Sequence, residues 1–151
     1  MIIDSIRKFI RTCPYLQEFN GAVKVNVDYL GEESTMYSIE ETPCNPIIKK
    51  YVDGSSIRQF EFIFASRESY GPDVLNNISN SGFYEDFANW IEEENIKGNL
   101  PDLNDKECRT IECLTTGYAF QTDVDKARYQ IQMRITYFQE KKEGVKWSII
   151  D

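Results

Sequence analysis

At 151 residues, with 41% apolar, 28% charged and 13% aromatic side chains, the chain has the profile of one globular domain and excludes a disordered or fibrous segment. A domain of this length buries roughly 68–70% of the surface its unfolded form exposes, enough for a core without staples. The formal charge of −8, from 25 acidic against 17 basic residues, repels phosphate on average and argues against a dedicated reader of DNA or RNA.

The opening MIIDSIRKFI carries Asp4 inside its apolar stretch and has no small-residue cleavage site, so it reads as neither a signal peptide nor a membrane span. Ile2, Ile6, Phe9 and Ile10 fall at helical spacing and predict an amphipathic helix over residues 2–12. Cys13-Pro14 ends it, because the residue before proline disfavours helix. Residues 22–30 switch to period two, with Val23, Val25, Val27 and Tyr29 on one side and Lys24, Asn26 and Asp28 on the other, a half-buried strand. A turn at 31–34 lets residues 36–40 return as its hairpin partner. Two prolines make 42–46 irregular.

Residues 47–52 and 56–66 flank Asp53-Gly54, the strongest short hairpin signal in the chain. Phe60, Phe62 and Phe64 share one face of the second strand, which must therefore lie against helices or another subunit. Gly71-Pro72-Asp73 opens a short helix holding Val74, Leu75 and Ile78, with an interruption expected near 80–82. The main helix follows, its apolar face made by Phe83, Phe87, Trp90 and Ile91. Lys97-Gly98 supplies a basic last turn and a left-handed cap, and Pro101 prevents continuation. Glu92, Glu93 and Glu94 read as a solvated surface.

Two long strands close the domain, over 107–121 and 127–139, joined by a turn at 122–125. The second alternates Tyr129, Ile131, Met133, Ile135 and Tyr137 against polar neighbours. Gly117, midway along the first, marks a bulge or bend. Residues 141–151 form a tail, loosely held or docked on a neighbour. Nothing approaches the roughly 20 apolar residues of a spanning helix, so the chain reads as cytosolic or as part of a particle assembled in the cytosol. The small basic groups at Arg7, Lys8 and Arg11, at Lys49 and Lys50, and at Lys141 and Lys142 read as solvated faces.

The chain has no histidine, which removes Ser-His, Cys-His and His-metal chemistry together. Cysteines at 13, 44, 108 and 113 contain no C-x-x-C pair and read as reduced, without zinc. Cys108 and Cys113, five apart in one predicted strand, are expected on opposite faces and about 16 Å apart, too far to bridge. No glycine run matches a phosphate loop or a dinucleotide fingerprint. Asp102 with Asp105, and Asp123 with Asp125, sit in turns where aspartate caps the backbone, so they read as turn residues and not as a cation site. No cofactor, metal or catalytic residue is assigned.

Arg67 and Glu68 end the aromatic strand together with Ser66, Ser69 and Tyr70. Read as chemistry, the charged pair is first an Arg–Glu contact orienting a turn and second a contact surface. Read as a string with Gly71-Pro72-Asp73, GFYEDFANWIEEEN over 82–95 and TTGYAFQTDVDKARYQIQMRITYFQE over 115–140, it resembles the small tail-terminator proteins of phages and prophages of Gram-positive bacteria, also labelled minor capsid or tail completion proteins. The resemblance spans residues 1–140. It implies a single α+β domain with helices packed on one face of a mainly antiparallel or mixed sheet, the architecture the periodicities also give. It further implies a non-enzymatic structural protein of the virion tail, assembled in the host cytoplasm. Such a protein forms a hexameric ring that caps the tail tube, stops its polymerisation and meets the head-tail connector, or the sheath end in contractile particles. DNA passes through such a ring without sequence-specific contact, and no membrane is involved. Contacts are expected at Asp53, Gly54, Arg67, Glu68 and Tyr70. The alternatives are another head-tail connector or tail-assembly component, and a small ligand-binding domain or enzyme.

Overall fold

The computed structural model describes residues 1–16, 25–28, 30, 36–69, 74–122 and 126–141. In chain order its elements are α1 (Ile2–Ile10), β1 (Val25–Val27), β2 (Met36–Thr42), β3 (Ile47–Lys50), β4 (Ser56–Ser69), α2 (Val74–Lys97), β5 (Glu107–Cys113), β6 (Tyr118–Thr122) and β7 (Lys126–Gln139). The seven strands form one mixed sheet in a single α+β domain.

The frame of the sheet is the antiparallel pairing of β4 with β7, in register from Ser56 opposite Gln139 to Ser69 opposite Lys126. Along the other edge of β4, β2 pairs with residues 61–67 and β3 with residues 56–58. The outer edge of β7 is shared in the same way by β5 and β6. Each long strand is thus hairpinned to an interrupted one. Pro43 and Pro46 break the first partner, since neither can donate to a ladder.

The second interruption corrects the expectation of one strand over 107–121. The chain leaves the sheet at 114–117, and its ladder partners remain satisfied there. The Leu114 N–H donates to the Gln132 carbonyl at 2.7 Å, and the Gln132 N–H donates to Thr115 Oγ1 at 3.1 Å. Gly117 lies against Tyr84 so closely that a Cβ there would sit 2.4 Å from the Tyr84 side chain. Glycine is required by that close approach.

β1 pairs with β2 in parallel, Val25 opposite Tyr37, so the hairpin expected between residues 22–30 and 36–40 does not form. A parallel neighbour cannot be reached through a tight turn. Asp28 takes a left-handed backbone, φ 55°, just beyond the strand, and donates its N–H to the Ile39 carbonyl at 2.9 Å. Val25 is buried, whereas Val27 is 39% exposed, because β1 lies at the margin of the sheet.

α2 runs without a break from Val74 to Lys97, through the interruption expected at 80–82. Gly82 faces open space, and its propensity cost of about 1 kcal/mol is outweighed by the packing of the next three turns. Tyr84, Phe87, Trp90 and Ile91 are all buried against the sheet. Asn95 adds a polar clip: its Oδ1 accepts the Ile111 N–H at 2.9 Å, and its Nδ2 donates to the Ile111 carbonyl and, at 3.1 Å, to Ile91 O. Gly98, at φ 78°, provides the expected left-handed cap.

The core lies between this helix layer and one face of the sheet. Tyr37, Ile39, Phe62, Phe64, Ile131, Met133 and Ile135 are at most 2% exposed. Phe64 stacks on Phe87 with centroids 4.6 Å apart and on Tyr37 at 5.7 Å. Phe9 stacks on Trp90 at 5.1 Å, and Arg7 Nε donates to the Val25 carbonyl at 2.6 Å, so α1 is fixed both to α2 and to β1. A register shift between Cys108 and Thr110 corrects a second expectation. The extra residue puts Cys108 opposite Tyr137 and Cys113 opposite Met133, on the same face, where both pack against the core. All four cysteines are free thiols.

Candidate functional site

The helix-free face of the sheet is polar and cross-linked. Arg128 of β7 makes a two-pronged pair with Glu40 of β2, Nη1 to Oε2 at 2.9 Å and Nη2 to Oε1 at 2.7 Å. Arg128 Nε also donates to Gln130 Oε1 at 3.0 Å, and the amides of Gln130 and Gln132 donate to the Tyr118 hydroxyl at 2.8 and 3.2 Å. Arg134 pairs with Glu112 on the same face, and Thr110 bonds Thr136 at 2.6 Å. These groups satisfy one another across four strands.

Arg67 and Glu68 are not brought together. As neighbours in β4 they leave the strand on opposite faces, which corrects the expected Arg–Glu contact. Arg67 stands opposite Arg128 in the ladder, on the polar face. Glu68 turns to the helix side, where burial pushes its carboxyl above the usual range, against a smaller lowering from Ser66. Beside it the Tyr84 hydroxyl donates to the Tyr129 carbonyl at 3.1 Å and is paired with Ser66 Oγ at 2.7 Å. Burial raises the Tyr84 phenol far above its ordinary value. Tyr70 lies outside the described residues, as do Asp123 and Asp125.

Asp53 and Gly54 behave as a turn, and three of their neighbours are exposed apolar residues. The ladder ends at Lys50 and resumes at Ser56, so β3 stops short of the expected residue 52. Asp53 Oδ1 accepts the Ser55 N–H at 2.9 Å and the Ser55 hydroxyl at 2.6 Å. Those two bonds hold its carboxyl below the usual carboxylate range. Gly54 takes φ 93°, which favours glycine, and donates its N–H to the Tyr51 carbonyl at 3.1 Å.

The end of β3 and this loop expose three apolar side chains. Val52 is 109% exposed, Ile48 50% and Tyr51 40%. Ile48 is turned out by the register shift between Ile47 and Lys49. The Tyr51 ring leans toward Phe138, with centroids 6.5 Å apart, and Lys49 Nζ sits 5.2 Å over it. Beneath lies an open depression of about 450 Å³ lined by residues that include Ile47, Lys50, Tyr51 and Arg58. The cations Lys49, Lys50 and Arg58 stand here beside Asp53, in a chain whose net charge is −8.

Sequence reasoning found the turn but missed Ile48, Tyr51 and Val52. The available signal was Val52 itself, an apolar residue abutting Asp-Gly where the chain must leave the ladder. Asp102 is a turn residue as expected, its Oδ1 accepting the Asn104 N–H at 2.9 Å. Among the described residues no group of three or more Cys, Asp or Glu could hold a metal ion, and no helix is long and apolar enough to cross a membrane.

No family model matches the chain, and no curated protein matches it. Function is read from its own residues.

Proposed function

We propose that the chain is a structural component of a phage or phage-like tail, a terminator that assembles as a hexameric ring on the end of the tail tube. There it stops tube polymerisation and offers its other side to the head-tail connector or the sheath end. The protein works by surface complementarity, in the virion tail, after assembly in the host cytoplasm. The observation that carries this reading is the β3–β4 hairpin, which exposes Ile48 of β3 and Tyr51 and Val52 of its turn. An exposed apolar cluster with a basic rim is the composition of an interaction site. The strings at 66–73, 82–95 and 115–140 support the same reading.

Growth stops because a ring of this kind matches the tube end on one side without repeating the tube's own next-subunit surface on the other. A cyclic head-to-tail assembly has two unlike faces and supplies that asymmetry. A net charge of −8 per chain suits passage of DNA, since a like-charged wall does not hold it. The test is polymerisation of purified tube protein with and without this chain, followed by electron microscopy. Tubes shortened as the chain is added, each bearing a ring at one end, are the expected outcome. Tubes of unchanged length without an end ring overturn it.

A further inference from the structure

The hairpin carries one half of a contact, and the outward face of α2 carries a surface of opposite sign. Glu85, Asp86, Glu92 and Glu93 are exposed on that helix, and the large apolar residue Ile96 among them is 80% exposed. Asn89, Glu92, Glu93 and Ile96 line a shallow depression of about 280 Å³. This is an apolar spot with an acidic rim, whereas the hairpin is an apolar spot with a basic rim. Each is the complement of the other.

The two surfaces lie on opposite flanks of the molecule. The hairpin belongs to the β3 side of β4, whereas α2 crosses the sheet face from β4, where Phe87 stacks on Phe64, to β5 beyond β7. There its last turns hold Ile111 through Asn95 and carry Glu92, Glu93 and Ile96. Three strand-to-strand steps of about 4.8 Å separate those edges, and both the hairpin turn and the C-terminal end of α2 lie toward the end of the sheet where Ser56 pairs with Gln139. The hairpin thus stands apart from the C-terminal turns of its own helix, and it can meet those turns on a second copy.

Resting on the ring reading above, we infer that the subunit contact is heterologous: Val52, Tyr51 and Ile48 of one copy seat on the Ile96 depression of the next, with Lys49 and Lys50 facing Glu92 and Glu93. A contact between two unlike surfaces of the same chain propagates in one direction and closes when the rotation per step divides the circle. Charge complementarity sets the partner and the register, while the apolar residues supply the buried centre. The contact is salt-sensitive, because the screening length falls from about 10 Å at 0.1 M to about 3 Å at 1 M ionic strength.

A charge-swap experiment tests this. The full chain is prepared as wild type, as K49E/K50E and as E92K/E93K, with circular dichroism confirming that all three are folded, and masses are measured in solution at low salt. The expected result is a ring for the wild type, monomers for each variant alone, and a ring when the two variants are mixed in equal amounts. Mixing restores both kinds of contact, because each acidic hairpin then meets a basic helix and each basic hairpin an acidic one. A wild type that stays monomeric, alone and with tube protein, overturns the ring reading itself. A wild-type ring with variants that still assemble alone, or that fail to assemble when mixed, overturns this contact and leaves the ring reading standing. Variants that keep the ring but lose tube protein also overturn it, by giving the hairpin to the tube.

Discussion

β4 and the turn that leads into it carry two apolar stretches with opposite surroundings. Along the strand, Phe62 and Phe64 are at most 1% exposed and lie under α2, Phe64 stacked on Phe87. At the turn, Val52 and Tyr51 point into solvent although both are apolar or aromatic. Sequence alone allowed the aromatic stripe to face either helices or another subunit, and the more conspicuous pattern has proved to be the intramolecular one. The apolar residues exposed at the hairpin are fewer, sit at the end of β3 and in the turn, and have no periodicity. Burial of the stripe is what holds the domain together, and exposure of the turn is what it offers outward.

Substitutions at the two regions separate these roles, beginning with the largest effect on stability. Phe64→Ala removes the ring at the centre of the aromatic cluster and is expected to lower unfolding free energy by about 3–5 kcal/mol, read from urea titration. A loss below about 1 kcal/mol would mean that the stripe is not the core. Gly117→Ala drives a methyl group into the Tyr84 side chain, 2.4 Å away, and is expected to cost about 1–3 kcal/mol through overpacking. Because Tyr84 also links Ser66 to the Tyr129 carbonyl, its fluorescence should change in the same variant.

A smaller effect is expected at Glu68, near the end of β4 remote from the turn. Its folded carboxyl titrates above the ordinary value of 4.5 because burial disfavours the charge. The folded state therefore binds the proton more tightly than the unfolded one, and this contribution is present below about pH 4.5 and lost as pH rises through the folded value. Glu68→Gln is accordingly expected to be more stable than wild type at neutral pH, with the gain vanishing below pH 4.5. Thermal melts across pH 4 to 8 check the sign; a variant less stable at pH 7 would show that the carboxylate is held by a favourable partner. Val52→Asp completes the series, with a stability change within about 0.5 kcal/mol, the usual range for an exposed position.

Much of this architecture was legible in the residues. Alternation in Tyr129 to Tyr137 placed β7, the spacing of Phe87, Trp90 and Ile91 placed the buried face of α2, and Asp53-Gly54 placed the hairpin turn. Three features were not legible, each for a physical reason. The parallel partner of β1 depends on a connection longer than any local turn signal. Helical continuity through Gly82 is decided by packing of residues further along α2, which outweighs a local propensity of about 1 kcal/mol. The bulge that puts Cys108 and Cys113 on one face is a tertiary adjustment of β5 to β7, and counting by twos cannot anticipate it. For the candidate site, the turn was found and the separation of Arg67 from Glu68 was not, although adjacent strand residues leave on opposite faces. The apolar residues of the loop escaped notice because nothing periodic marks them.

The most direct measurement is the solution mass of the wild-type chain beside that of Val52→Asp, at the same concentration and with melting curves recorded for both. A discrete multiple of the 17.6 kDa chain for the wild type, and a folded monomer with an unchanged melt for the variant, is the predicted result. A wild type that stays at the mass of one chain, alone and with tube protein, would contradict the ring reading, and a variant that assembles as well as wild type does would contradict the assignment of the hairpin as the surface through which this protein meets its neighbours.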